Sequence, residues 1–122
     1  MAKILIIDDE EQVRTFIRKI LQLSGHEVIE ASNGKIGMKL YAANPTDLII
    51  TDLIMPEKEG IETILEIKGS NPNAKIIAIS GGGQVLAEDY LCLAKGLGAL
   101  CTLTKPFSRA KMLEAVNKLL EE

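Results

Sequence analysis

Leu48-Ile49-Ile50-Thr51-Asp52 carries three branched aliphatics straight into a carboxylate, and Leu53-Ile54-Met55-Pro56 follows. The proline stops any continuation as a ladder-forming strand. An apolar run of this length, bounded by turn signals, reads as a strand buried on both faces of a parallel sheet. Its last residue then lies at the carboxyl edge of the sheet, where open α/β folds place their chemistry. Taken alone, Asp52 fits a helix N-cap equally well. The ends of the other strands decide between the two.

Working outward, Ile4-Leu5-Ile6-Ile7 is a second such run and ends in Asp8-Asp9-Glu10-Glu11. Val13, Phe16, Ile17, Ile20 and Leu21 then recur at helical spacing with Arg14, Arg18 and Lys19 between them, an amphipathic helix stopped by Gly25. Glu10 and Glu11 fall in its first turn, where the helix dipole accounts for acidic residues. Asp8 and Asp9 are adjacent carboxylates at a strand end and repel each other, so they ask for another explanation. Val28-Ile29 forms a short strand near an edge. Ser32-Asn33-Gly34 leads into a helix with Met38, Leu40 and Tyr41, ended by Asn44-Pro45, in which Gly37 costs about 1 kcal/mol relative to alanine.

Beyond Asp52 comes a loop with Pro56 and Gly60, and Ile61, Ile64, Leu65 and Ile67 mark a third helix broken by Gly69 through Pro72. Ile76-Ile77-Ala78-Ile79 is a strand ending at Ser80 and the triple glycine Gly81-Gly82-Gly83. A fourth helix covers Gln84 to Lys95, and Leu100 to Leu103 is a fifth strand, followed by Thr104-Lys105-Pro106. Val116, Leu119 and Leu120 belong to a last helix. Strands alternating with helices five times over predict an α/β domain with a parallel sheet and right-handed crossovers. One domain spanning 1–122 is expected.

The totals narrow the function. The 122 residues are 47% hydrophobic, enough for a packed core, but aromatics make up 3% and there is no Trp, so that core is aliphatic and offers few stacking platforms for nucleic acid. Seventeen acidic against fourteen basic residues, with no basic block, argue against direct nucleic-acid binding. Cys92 and Cys101 are too far apart for a CxxC pair and read as small hydrophobes of a reducing cytoplasm. The chain shows no cleavable signal and no apolar run long enough for a bilayer, so a cytoplasmic protein without a membrane partner is expected.

Four strands end in groups that a parallel sheet brings to one edge: Asp8 and Asp9, Asp52, Ser80, and Lys105. Three carboxylates, a hydroxyl and an ammonium together are better explained as a site than as caps. Two carboxylates about 4 Å apart repel by roughly 4 kcal/mol at an effective dielectric near 20, so one lysine does not suffice. Oxygen ligands without His or Cys select a hard ion, Mg2+ before Zn2+. Magnesium in turn suits a phosphoryl ligand. A carboxylate can act as nucleophile and form an acyl phosphate. Lys105 balances charge on one phosphoryl oxygen, and the Ser80 hydroxyl donates to another. There is no GxGxxG and no GxxxxGK[ST]. The triple glycine is a flexible turn or an anion-binding nest, and the lone His26 reads as a solvated side chain.

These residues carry a resemblance. Ile6-Ile7-Asp8-Asp9-Glu10-Glu11 with Arg14, Ala31-Ser32-Asn33-Gly34, Pro45 through Pro56 with Gly60, Ile79-Ser80-Gly81 and Thr104-Lys105-Pro106-Phe107 occur in one order and spacing. Together they resemble the receiver domain of two-component response regulators, of the single-domain, chemotaxis-regulator-like kind, across essentially the whole chain. The resemblance implies a doubly wound, flavodoxin-like sheet of order 2-1-3-4-5. It implies that Asp52 accepts a phosphoryl group from a histidine kinase or histidine phosphotransfer protein, with Mg2+ held by Asp8, Asp9, Asp52 and the backbone carbonyl of Ile54. Ser80 matches the switch hydroxyl, and Lys105 the motif lysine, whose bond to Pro106 is usually cis. One position departs from the family. Receivers usually carry Tyr or Phe three residues before that lysine, and here the residue is Thr102.

The expected function is therefore a phosphorylation-controlled module without an output domain in this sequence, acting by contact with a downstream protein as single-domain regulators do or as a fragment of a longer regulator. It is no enzyme beyond catalysing its own phosphotransfer and dephosphorylation. The missing aromatic raises a phosphorelay intermediate or phosphate sink as the alternative. A small Mg2+-dependent phosphohydrolase is a third reading, disfavoured because no second acid or substrate cap is evident.

Overall fold

The aliphatic runs at Ile4, Leu48 and Ile76 become three adjacent central strands, each shielded on both faces. A computed structural model of the chain describes residues 2–53, 60–80, 96, 98 and 101–121. Within them the elements run β1 (Lys3–Ile7), α1 (Glu11–Leu23), β2 (Glu27–Ala31), α2 (Gly34–Ala43), β3 (Leu48–Asp52), α3 (Gly60–Ser70), β4 (Ile76–Ser80), β5 (Cys101–Thr104) and α4 (Arg109–Glu121). The five strands form one parallel sheet in the order β2-β1-β3-β4-β5, the flavodoxin-like order expected. The predicted helix over 84–95 lies outside the described residues.

Successive side chains of a strand point to opposite faces, so each continuous run feeds two cores. Leu5, Ile7, Ile49, Ile76 and Ala78 pack with Tyr41 of α2 and Ile64 and Ile67 of α3. Ile4, Ile6, Leu48, Ile50, Ile77 and Ile79 pack with Ile17 and Leu21 of α1 and Met112, Val116 and Leu119 of α4. Burial of each such aliphatic is worth about 1.5–3 kcal/mol. Gly37 now has a reason: a Cβ there would stand 2.5 Å from Ile7 Cδ1, so the glycine lets α2 settle on β1.

The edge strands differ from expectation. β2 extends well beyond Val28-Ile29, because parallel pairing with β1 holds it from Glu27 opposite Lys3 to Ala31 opposite Ile7. Its Glu30 is clamped by Arg14 Nε at 3.3 Å and Arg18 Nη1 at 2.6 Å, both from α1. β5 reaches Thr104, which pairs with Ser80, one residue beyond the predicted end. Cys101 is a half-buried free thiol at the margin of the core, and Cys92 lies outside the described residues.

Two side chains correct the sequence reading. Phe16, placed on the apolar face of α1, is 45% exposed and instead sets its ring against Phe107, with centroids 5.9 Å apart. His26 is not simply solvated: its Nδ1 accepts the Ala2 N–H at 3.1 Å, because the β1–β2 pairing draws the start of β1 against the turn after α1. Burial lowers the His26 pKa below the ordinary value.

Helix α2 is capped as its sequence implies. Asn33 Oδ1 accepts the Ile36 N–H at 2.8 Å. Asn33→Ala should lower stability by about 1 kcal/mol, read as a shift in the urea midpoint at constant slope. Among the described residues no helix is long and apolar enough to cross a membrane.

Candidate functional site

The parallel register sets the ends of the central strands side by side. Ile7 pairs with Thr51, so Asp8 and Asp52 leave β1 and β3 at the same edge. Asp8 is almost wholly buried. Its Oδ1 accepts the Glu10 N–H at 2.8 Å, and its Oδ2 lies 3.1 Å from Lys105 Nζ. Its backbone is fixed as well: the N–H donates to Ala31 O at 3.1 Å, and Arg14 Nη1 donates to its carbonyl at 2.7 Å. Lys105 enters from the end of β5, where its N–H donates to Ser80 O at 2.7 Å and its bond to Pro106 is cis. Its ammonium also reaches Glu10 Oε1 at 2.8 Å and Asp52 Oδ2 at 3.2 Å.

The electrostatics follow from this crowding. Burial lifts the Asp8 pKa from 3.8 to about 6; the Glu10 N–H works against the rise, Asp52 adds to it and Lys105 opposes it. For Lys105 burial disfavours the ammonium, but the bonds and charges of Glu10, Asp52 and Asp8 outweigh it and hold the pKa above the ordinary lysine value.

Carboxylate oxygens of Asp8, Asp9, Glu10 and Asp52 all lie within 4.8 Å of one another. Among the described residues, four acidic groups face the one ammonium of Lys105, and the donor set is all oxygen. That chemistry fits a hard divalent ion such as Mg2+. Asp9 and Glu10 sit exposed on the rim, while Asp8 and Asp52 form the buried floor. At the neighbouring strand end the Ser80 hydroxyl is fully buried, and its Oγ has no hydrogen-bond partner among the described residues. A buried orphan hydroxyl costs about 1–3 kcal/mol.

Sequence reasoning therefore located Asp8, Asp9, Asp52, Ser80 and Lys105 at one sheet edge, and the structure brings Lys105 into contact with Asp8 and Asp52. Ile54 lies outside the described residues. Glu10 was misread. It is the N-cap residue of α1, its side chain makes no capping bond, and it pairs with Lys105 instead. Thr102 is half-buried on β5 opposite Ala78.

A flavodoxin-like domain with an acidic pocket over the carboxyl ends of β1 and β3 defines a class, and comparison with known proteins names it. The profile of the response regulator receiver domain matches residues 4–117. The chain is 36% identical to the chemotaxis protein CheY of Thermotoga maritima over 118 residues, 96% of each protein. It is 30% identical to sporulation initiation phosphotransferase F of Bacillus subtilis, covering 97% of this chain and 93% of that protein. A crystal structure of a response regulator receiver domain protein from Clostridium thermocellum superposes with a TM-score of 0.90 at 33% identity, covering 99% of this chain and 95% of that one. The chain belongs to the response regulator receiver domain family, the receivers of two-component systems.

Proposed function

We propose that Asp52 is the phosphoacceptor of this receiver, that residues 1–122 form one cytoplasmic signalling domain, and that a histidine kinase or histidine phosphotransfer protein supplies the phosphoryl group. The observation that supports this best is the Asp52 carboxylate itself, 4% exposed at the end of β3, with an ammonium at 3.2 Å and three further carboxylates around it. An Asp52 oxygen bonds to phosphorus as the donor's bond to phosphorus breaks, and the leaving group departs with the electron pair. Asp8, Asp9, Asp52 and the Ile54 carbonyl would hold Mg2+, which when bound offsets negative charge on the phosphoryl oxygens. Lys105 exchanges a carboxylate partner for a phosphoryl oxygen. The Ser80 hydroxyl, without a hydrogen-bond partner among the described residues, donates to another. A new charge-assisted bond of about 1.5–3 kcal/mol is enough to shift a two-state segment and so alter the surface offered to a downstream protein. The domain turns over its own phosphoryl group and no separate substrate.

The relay or sink reading keeps one observation in its favour. Thr102 stands where receivers usually carry a ring, so an aromatic readout at that position on β5 is missing.

Incubation with acetyl phosphate and Mg2+ should raise the intact mass by one phosphoryl group, and Asp52→Asn should abolish the rise. Label that persists in Asp52→Asn and maps to Ser80 would overturn the assignment.

A further inference from the structure

Lys105 is the only cation that the described pocket groups share, and its shortest bond is not to either buried carboxylate. It runs to Glu10, at 2.8 Å, against 3.1 Å to Asp8 and 3.2 Å to Asp52. The ammonium donates hydrogen bonds to Glu10 and Asp52 and meets Asp8 Oδ2 as an ion pair. A phosphoryl oxygen arriving on Asp52 therefore competes with carboxylates that already hold the lysine.

Glu10 is built to be the carboxylate that gives way. Its backbone is pinned beside the pocket by the N–H donated to Asp8 Oδ1 at 2.8 Å. Its φ of −91° and ψ of 114° place it at the N-cap of α1, where a side chain usually bonds the helix, yet it makes no such bond. The carboxylate is more than half exposed, so releasing the lysine leaves it in water at little cost, whereas Asp8 would be left charged, buried and short of a partner.

We propose that Glu10 is a positioning residue that holds Lys105 at the rim of the pocket and thereby slows phosphoryl transfer to Asp52. The inference rests on Asp52 being the acceptor. Each transfer then has to break the Glu10–Lys105 pair before the ammonium can meet the phosphoryl oxygen. An incoming phosphate dianion also meets the negative charge of Glu10.

The test is the second-order rate of phosphorylation by acetyl phosphate at saturating Mg2+ in the wild-type chain and in Glu10→Gln, Glu11→Gln, Lys105→Met and the Glu10→Gln/Lys105→Met double variant. Glu10→Gln should be about three- to fivefold faster, the range of one partly exposed ion pair. Glu11→Gln should change the rate less than twofold, and the Glu10→Gln gain should vanish in the Lys105→Met background. A Glu10→Gln rate within twofold of wild type overturns the proposal, as does an equal gain in Glu11→Gln or a full gain without Lys105, both of which mark bulk charge alone. Calorimetric titration with Mg2+ supplies a second readout. Affinity in Glu10→Gln should stay within threefold of wild type, and a tenfold loss makes Glu10 a metal ligand and overturns the positioning role. A wild-type chain that takes up no phosphoryl group on Asp52 removes the acceptor reading and this inference together, whereas normal uptake with an indifferent Glu10→Gln removes the inference alone.

Discussion

Asp8→Asn should make the metal-free protein more stable at neutral pH, by about 3 kcal/mol. The carboxyl is buried, and its pKa stands at about 6 against 3.8 for an ordinary aspartate. Between pH 4 and 6 the folded chain thus holds more protons than the unfolded chain. Stability falls as pH rises through that window and stays low above it. The asparagine variant lacks that fall, because its side chain has no charge to bury and its Oδ1 can still accept the Glu10 N–H. Urea unfolding at pH 4 and pH 7.5 in the presence of EDTA checks both parts. The wild type should lose stability relative to the variant between the two values. Added Mg2+ should raise the wild-type midpoint by mass action and leave the variant nearly unmoved. If Asp8→Asn is no more stable than wild type at pH 7.5 without metal, the buried floor of the pocket does not carry the strain assigned to it.

Gly60→Ala should be the most damaging small substitution outside the pocket. Gly60 opens α3, donates its N–H to Leu53 O at 2.9 Å, and lies flush against the end of β3. A Cβ there would overlap the Asp52 carbonyl oxygen and stand 2.6 Å from Leu53 Cα. Those neighbours are backbone and cannot rotate away. The expected loss is about 2–3 kcal/mol. Displacing the Asp52 backbone by a fraction of an ångström should also slow phosphorylation by roughly tenfold or more. Gly69→Ala makes a sharp control, since it lies in the same helix with nothing within 4 Å of a Cβ, and it should be neutral or up to about 1 kcal/mol stabilising. Equal behaviour of the two variants in urea unfolding would contradict the close approach of α3 to β3.

The central sheet was legible because β1, β3 and β4 are shielded on both faces, so burial writes itself as an unbroken aliphatic run. The edges were not. β2 mixes Glu27 and Glu30 with Val28 and Ile29, because one side of an edge strand answers to α1 rather than to the core. Strand-end logic gathered Asp8, Asp52, Ser80 and Lys105 because a parallel sheet aligns carboxyl ends whatever the loops do. Glu10 escaped because its partner is 95 residues away, and an acid near a helix start already has a sufficient local explanation. Phe16 and Phe107 escaped for the same reason: helical spacing puts Phe16 near the apolar face, and a ring-on-ring contact with the loop before α4 leaves no periodic trace.

His26, Asp47 and Lys75 surround a cavity of about 450 Å3 that Ala2 and Leu120 also line, so the first and last described stretches meet at the pole opposite the carboxylates. Lys75 Nζ bonds the Leu119 carbonyl at 2.8 Å, and Asp47 accepts the Lys3 N–H at 2.8 Å, which fastens both stretches there. A short glycine-serine bridge from one to the other would span this pole without crossing the reactive edge. New termini could then be cut at an exposed turn such as Pro72-Asn73. Dyes or affinity handles attached near Ala2 or near Leu120 would likewise sit beside each other on the far side of the sheet, leaving the rim around Lys105 uncovered.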